Sequence, residues 1–539
     1  VVRAATGVWI LLGVLWFAVL PLRSMFDPDE GRYAEIPREM AASGDWVTPT
    51  LNGLKYFEKP PLQYWATAAL YSGFGVHDWT ARAWAAVLAF LCIPLTFAFA
   101  ARIGYSRDAA LVAAALLAIN PYFALSGQIN LLDQGFTFFL SAAVFSFVLA
   151  QREHLHPQRT RNWMLVTWAS LALAVLSKGI VALVLAGATL LVYMVVTRNF
   201  SPLRRLQFKF GLPLFLAIAA PWFWIVQSRN PEFFQFFFIH EHFARYLTKV
   251  SHHVEPVWFF IPALLVALLP LIGNFRSWTL GNIEGERTPG EFRPELFLLI
   301  WCAVVMVLFS LSQSKLASYV MPMMPPLAVV LARVTLSQAN AFSRAKWIAV
   351  GFMLIIAAGV VSASWLRESS MSTSTITWAA LVAAGAAMYL ALERDRQQNS
   401  MANRWTSLAA VSIVGYQLLA MCYAAAFPAR SAAGLASEFV KAIPADTSLY
   451  SVGQYRHSLS FYLQRPLIVY DYVGELEFGM QLARVSAEAR NREQFLEHWQ
   501  GETSAIAFID PAVYKALLAA GMPGRIIARD ARSVVVARS

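Results

Sequence analysis

The chain has 539 residues, of which 58% are hydrophobic and only 14% charged, and its mean hydropathy is +0.52. A water-soluble fold of this length carries far more polar surface, so the balance excludes one and points to a bilayer. The net charge of +11 does not mark a nucleic-acid binder, because Arg and Lys fall in short links between apolar runs instead of forming one patch.

In chain order, the first apolar run covers 7–22 and ends without a small-residue cleavage site before Phe26-Asp27-Pro28-Asp29-Glu30, so it is expected to stay as an anchor. A long polar link, 25–82, follows. Runs at 83–101, 109–125, 135–150, 163–176, 180–196 and 211–226 are each long enough, or nearly so, to cross ~30 Å of hydrocarbon. A second polar link covers 227–256. Runs at 257–272, 296–311, 317–331, 347–365, 376–392 and 405–426 bring the expected number of spans to about thirteen. Trp163, Trp347 and Trp405 stand at run edges, where amphipathic rings favour the headgroup layer. Cys92, Cys302 and Cys422 lie within runs and read as small buried hydrophobes.

After Ser431 no segment is long enough to span. Short apolar runs at 448–452, 467–470, 504–509, 525–529 and 534–537 read as strands, and 434–442, 493–499 and 511–520 as helices. The expected fold is therefore mainly α, a polytopic helical membrane protein (residues 1–427) with a small C-terminal α/β domain (428–539). The basic links place Arg102/Arg107, Arg152/Arg159/Arg161, Arg198/Arg204/Arg205/Lys209, Arg276/Arg287/Arg293, Arg333/Arg344/Lys346 and Arg394/Arg396/Arg404 on one side. By the positive-inside rule that side is cytoplasmic, as is the N-terminus. Links 25–82 and 227–256, the turns near Lys178 and Lys315, and the C-terminal domain then lie outside.

The first outer link holds three carboxylates in four residues, Asp27, Asp29 and Glu30, followed by Arg32, Tyr33, Glu35, Arg38 and Glu39 on an expected helix. Acidic residues at a helix start can simply favour the helix dipole or can carry chemistry. Further on, Tyr56-Phe57-Glu58-Lys59-Pro60-Pro61-Leu62 sets a carboxylate and an ammonium between aromatics and a stiff double proline. Lys59 is either presented to a ligand or snorkels to headgroups.

The second outer link carries Arg229, Glu232, His240, Glu241, His242, Arg245, Lys249, His252, His253 and Glu255 among Phe residues. His240-Glu241-His242 does not match the two-His spacing of a catalytic zinc helix. An aromatic amphipathic helix in the interface, with Arg245 and Lys249 toward phosphates, is the simpler expectation. Glu58 and His240 remain the candidates for a divalent metal such as zinc. In Phe309–Tyr319, hydroxyls with Lys315 and Tyr319 make either an anion seat or a capping turn. Cations at a membrane boundary together with carboxylates suit a reaction on a lipid-linked phosphate, and the chain has no Walker pattern to bind a nucleotide.

Phe26-Asp27-Pro28-Asp29-Glu30-Gly31-Arg32-Tyr33 together with Phe57-Glu58-Lys59-Pro60-Pro61-Leu62-Gln63-Tyr64-Trp65 resembles the bacterial 4-amino-4-deoxy-L-arabinose lipid A transferases. These stand with protein O-mannosyltransferases and oligosaccharyltransferases in the GT-C class of glycosyltransferases. The resemblance implies a periplasm-facing site in the bacterial inner membrane, undecaprenyl-phosphate aminoarabinose as donor, lipid A as acceptor, and no required cofactor. It implies Asp29 as the catalytic carboxylate. Lys59, Arg245 and Tyr319 become carrier-phosphate contacts. Tyr33, Tyr56, Glu58, Asp133 and Lys315 are the further substrate-binding candidates, and membrane lipids are the other partners of an expected monomer.

An amino sugar suits two carboxylates such as Asp29 and Glu58, because its amine is cationic. A phosphate acceptor is already ionised and leaves Asp29 to orient the sugar or stabilise charge, whereas a Ser or Thr acceptor needs it as base. The alternatives are a GT-C protein O-glycosyltransferase using a polyprenyl-phosphate sugar and, from another class, a secondary transporter. A transporter places ionisable groups at the bilayer midplane, and the runs here are nearly free of charge.

Overall fold

A computed structural model describes residues 2–244, 255–269, 279, 292–338, 340–368, 372–395, 400–439, 443–444, 446–483 and 490–538. The chain divides into two compact units: the first is Val1–Leu20, Glu58–Gln63 and Ala83–Ala426, and the second is Pro21–Phe57, Tyr64–Arg82 and Phe427–Ser539.

The first unit is built of helices joined by turns. Among the described residues, eight helices are long and apolar enough to cross a membrane: Asp78–Arg102, Leu132–Arg152, Phe208–Arg229, Pro294–Leu311, Ala317–Leu336, Ala341–Arg367, Thr373–Arg394 and Met401–Ala426. Shorter apolar helices cover Gly7–Leu22, Val181–Thr197 and Val257–Leu268. The expected runs 109–125 and 163–176 are also helical, in Arg107–Ile119 and Pro157–Lys178. Length and composition thus establish a multi-span membrane protein.

Proline explains the breaks in two of the expected runs. Run 109–125 stops at Ile119 and restarts as Pro121–Ser126. Asn120 before the proline is extended, and its side chain caps the new turn by accepting from Phe123 N at 3.0 Å. Run 317–331 begins as a 3₁₀ turn, Ala317–Met323, with Pro322 inside it, and becomes α-helical only from Met324. Helix packing needs small residues at close approaches: a Cβ on Gly127 would lie 2.5 Å from the Trp16 ring. Of the three edge tryptophans, Trp347 is exposed, but Trp405 is fully buried beside Phe342, so its ring packs helices instead of meeting headgroups. The three cysteines are free and buried.

The second unit has a five-stranded mixed sheet ordered β4-β3-β5-β7-β6, besides the hairpin β1 (Thr50–Leu51) and β2 (Leu54–Lys55). Here β3 is Ser448–Val452, β4 Ile468–Tyr470, β5 Ala505–Ile509, β6 Arg525–Arg529 and β7 Val534–Arg538. β3 pairs in parallel with β4 and β5, while β7 is antiparallel to both β5 and β6. The strand β5, Ala-Ile-Ala-Phe-Ile, is buried along its whole length, as a central strand covered on both faces must be. Trp499, Phe495 and Tyr450 anchor the core beside it, and Trp499 donates to Pro523 O at 2.7 Å. Asn491 with Gln494 forms a reciprocal cap for Arg492–Gly501, and Asp510 with Pro511 starts Pro511–Ala519.

Residues 21–57 and 64–82 fold in this same unit. The helix Asp29–Ser43 runs from the acidic cluster to Gly44, which adopts φ +73° and closes the last turn on Met40 O. It packs against the helix His457–Leu463 so closely that a Cβ on Gly31 would stand 2.3 Å from Ser458 N. Only glycine permits that approach.

Candidate active site

In the second unit, the three neighbouring carboxylates have three different environments. Glu30 is 1% exposed and gripped by two guanidiniums: Arg23 at 2.5 and 2.8 Å and Arg82 Nε at 2.9 Å, with Phe26 N donating at 3.0 Å. Burial alone would raise its pKa, but Arg23 and Arg82 outweigh it and hold the carboxyl far below the usual range. Asp27 is buried as well, accepting from Arg456 Nε at 3.1 Å and from Ser458 N at 2.7 Å. Asp29 differs. Its side chain keeps 39% of its surface open and has an ion pair with Arg32, one helical turn on.

Arg32 is itself held from the C-terminal part of the unit. Its Nη1 donates to Glu475 Oε1 at 3.1 Å, and its guanidinium lies 5.1 Å from the Tyr33 ring centre. Glu475 Oε2 accepts from the Tyr472 hydroxyl at 3.3 Å and stands 3.7 Å from His457 Nε2. Burial pushes the His457 imidazole below its ordinary pKa, so it is neutral near pH 7. Tyr33 and Tyr56 are buried, Tyr33 stacking on Tyr64 at 6.4 Å. Burial also raises Glu35 to about 7, against the opposing pull of Arg38 at 2.6 Å.

In the first unit, Lys59 donates to its neighbour's carbonyl, Glu58 O, at 2.9 Å and lies 3.8 Å from the Glu58 carboxylate and 3.4 Å from that of Glu241. Glu241 sits on the short π-helix Gln235–Ala244, within the second link, whose Phe237 and Phe238 pack with Phe223 and Phe233. His240 Nδ1 is 3.6 Å from Glu241 Oε1.

A second cluster in that unit joins Asp133, Lys178 and Tyr319. Asp133 and Lys178 form a largely buried ion pair, and the Lys178 ammonium lies 4.2 Å from the centre of the Tyr319 ring. Tyr122 donates its hydroxyl to Ala317 O, which ties down the turn that carries Tyr319. Lys315 is buried, with its ammonium on Ser312 O at 2.5 Å and Glu255 O at 2.8 Å. It therefore bonds main-chain carbonyls of its own turn and of the second link.

Asp29, Tyr33 and Tyr56 thus belong to the second unit, and Glu58, Lys59, Asp133, His240, Lys315 and Tyr319 to the first. Arg245 lies outside the described residues. Among the described residues no three His, Cys, Asp or Glu side chains are grouped as a metal ion requires, and the Glu58 carboxylate stands beside Lys59. Sequence reasoning did not find Arg456, His457 or Glu475 as partners of the acidic cluster, because their spacing from it gives no local signal.

A family model described as dolichyl-phosphate-mannose-protein mannosyltransferase matches residues 3–237, and one described as aminoarabinose transferase C-terminal domain matches 435–538. An undecaprenyl phosphate-alpha-4-amino-4-deoxy-L-arabinose arabinosyl transferase of Sodalis glossinidius is 29% identical over 94% of this chain and 93% of its own length. A relative of the same description from Aeromonas salmonicida is 33% identical over 60% of this chain and 59% of its own. Among solved structures, ArnT from Cupriavidus metallidurans bound to undecaprenyl phosphate superposes with a TM-score of 0.87 and 31% identity, covering 99% of this chain and 98% of that one. With both parts of the chain matched in one solved relative over nearly its full length, the chain belongs to the aminoarabinose transferase (ArnT) family, the polyprenyl-phosphate-sugar-dependent enzymes of GT-C type.

Proposed function

We propose that this enzyme transfers 4-amino-4-deoxy-L-arabinose from undecaprenyl phosphate to a phosphate of lipid A, lowering the negative charge of the outer membrane, with Asp29 as the catalytic carboxylate. The observation that carries the assignment is the contrast among three acids: Asp27 and Glu30 are closed into buried ion pairs, and Asp29 keeps an open face. The alternation of basic links supports an inner-membrane protein whose site faces the periplasm.

In the reaction the bond from the sugar's anomeric carbon to the carrier phosphate oxygen breaks, and the electron pair leaves with the phosphate. A phosphate oxygen of lipid A forms the new bond to the same carbon. The acceptor is already an anion, so no proton must be removed, and Asp29 acts by stabilising positive charge that develops at the anomeric carbon. Lys59 and Arg245 stabilise the departing phosphate. Tyr319, fixed by Lys178 and Asp133, gives that phosphate a hydroxyl. Glu58 attracts the cationic amine of the sugar, and Tyr33 and Tyr56 bind the substrate with it.

Lys59→Ala and Arg245→Ala are each expected to weaken use of the carrier lipid about tenfold to a hundredfold, the range of a charge-assisted contact worth ~1.5–3 kcal/mol. Initial rates against carrier-linked sugar concentration with purified protein measure it. Unchanged carrier affinity in the double variant would remove both cations from the site.

A further inference from the structure

Arg32 stands between two carboxylates, Asp29 on its own helix and Glu475 at Oε1, 3.1 Å away, on the turn Gly474–Leu476 that follows β4. One cation shared by two anions leaves the trio with a net charge of −1 near neutral pH. The fourth group, His457, is neutral there, so it does not cancel that charge. Were Glu475 neutral, the whole guanidinium would turn to Asp29 and the trio would carry no net charge. The shared arrangement also fixes direction: with Nη1 committed to Glu475, only Nη2 bonds Asp29.

The surrounding contacts hold this geometry from the C-terminal side. Tyr472 and His457 flank the outer oxygen of Glu475, and Gly31 lets the backbone at His457 and Ser458 meet the helix that carries Asp29 and Arg32. The neighbouring Asp27 is bound to Arg456 and Ser458 of the same segment.

We infer that Glu475 is a positioning residue for the reaction: by taking one arm of Arg32 it keeps Asp29 oriented and leaves it an uncancelled negative charge for the cationic sugar in the transition state. The C-terminal α/β domain is thereby a working part of the active site. The inference rests on the assignment of Asp29 as the catalytic carboxylate.

The test is a mutant cycle on purified full-length protein, with kcat and KM measured for the carrier-linked sugar and folding followed by thermal unfolding. Glu475→Gln is expected to lower kcat about tenfold to a hundredfold, the range of one charge-assisted hydrogen bond, with KM for the donor nearly unchanged. Glu475→Asp, which keeps the charge on a shorter arm, is expected to fold and to recover much of the loss. In an Asp29→Asn background, Glu475→Gln is expected to cost nothing further, because both act through one group. Equal losses in the Gln and Asp variants, or the same fold-loss from Glu475→Gln with and without Asp29, would overturn the inference. Near-normal turnover by Asp29→Asn alone would instead overturn the assignment of Asp29 itself.

Discussion

Asp29→Asn is expected to lower kcat by about a hundredfold to a thousandfold, the range seen when one preorganised electrostatic group is removed from a transition state. The change keeps shape and removes charge, and because Asp29 is partly open and its ion pair is with a helix neighbour, the melting temperature should move little. Asp27→Asn should do the reverse. Its carboxylate and Arg456 are 2% and 1% exposed, so the substitution leaves a buried guanidinium with one partner fewer and destabilises the fold, while properly folded molecules keep turnover. Parallel measurement of kcat and thermal unfolding in detergent separates the two residues. Equal kinetic losses at both positions would contradict the distinction drawn between them.

The second large effect concerns stability. Glu30→Gln takes from the buried Arg23 and Arg82 the carboxylate they share, and breaking such a buried set by removing one partner costs about 3–5 kcal/mol. The same carboxylate makes stability depend on acid. Its folded pKa is held below the ordinary 4.5, so its contribution is fully present above about 4.5 and is lost as pH falls from there through the folded value. Thermal unfolding from pH 7 down to pH 3 should therefore show a fall that is smaller in Glu30→Gln. An unchanged melting temperature for that variant at pH 7 would show that the clamp does not stabilise the protein.

What the sequence reveals about this molecule follows the range of the forces involved. β3 and β6 have the expected bounds and β5 starts one residue later, because strand period and turn residues are local signals. The turn after β6 shows why: Asp530 accepts from Arg532 N and Ser533 N, at 2.8 and 2.7 Å, within four residues. Hydropathy likewise reveals the helical runs but not their breaks at Asn120 and Pro322, since an apolar run stays apolar across a proline. The helices His457–Leu463 and Glu477–Leu482 are too short to carry a period, and the strand and helix expectations passed over them.

The acidic cluster shows the limit for the site. Asp27, Asp29 and Glu30 are alike in sequence, and the resemblance to the family selected Asp29 where composition alone did not. The physical reason for the selection lies in partners far along the chain: Asp27 meets Arg456 across 429 residues, and Glu30 meets Arg82 across 52. The pairing of Lys59 with Glu241 across 182 residues is equally silent in the sequence. Such pairings depend on which segments fold into one unit, and no local pattern encodes that.

Transfer of an amino sugar from a polyprenyl phosphate to lipid A is measured by mass spectrometry of lipid A from cells that lack the enzyme and from the same cells supplied with this chain or its Asp29→Asn variant. A phosphate-linked aminopentose is expected on lipid A with the parent chain, and its loss with Asp29→Asn. Unaltered lipid A accompanied by newly glycosylated periplasmic protein would contradict it and assign the chain to protein glycosylation.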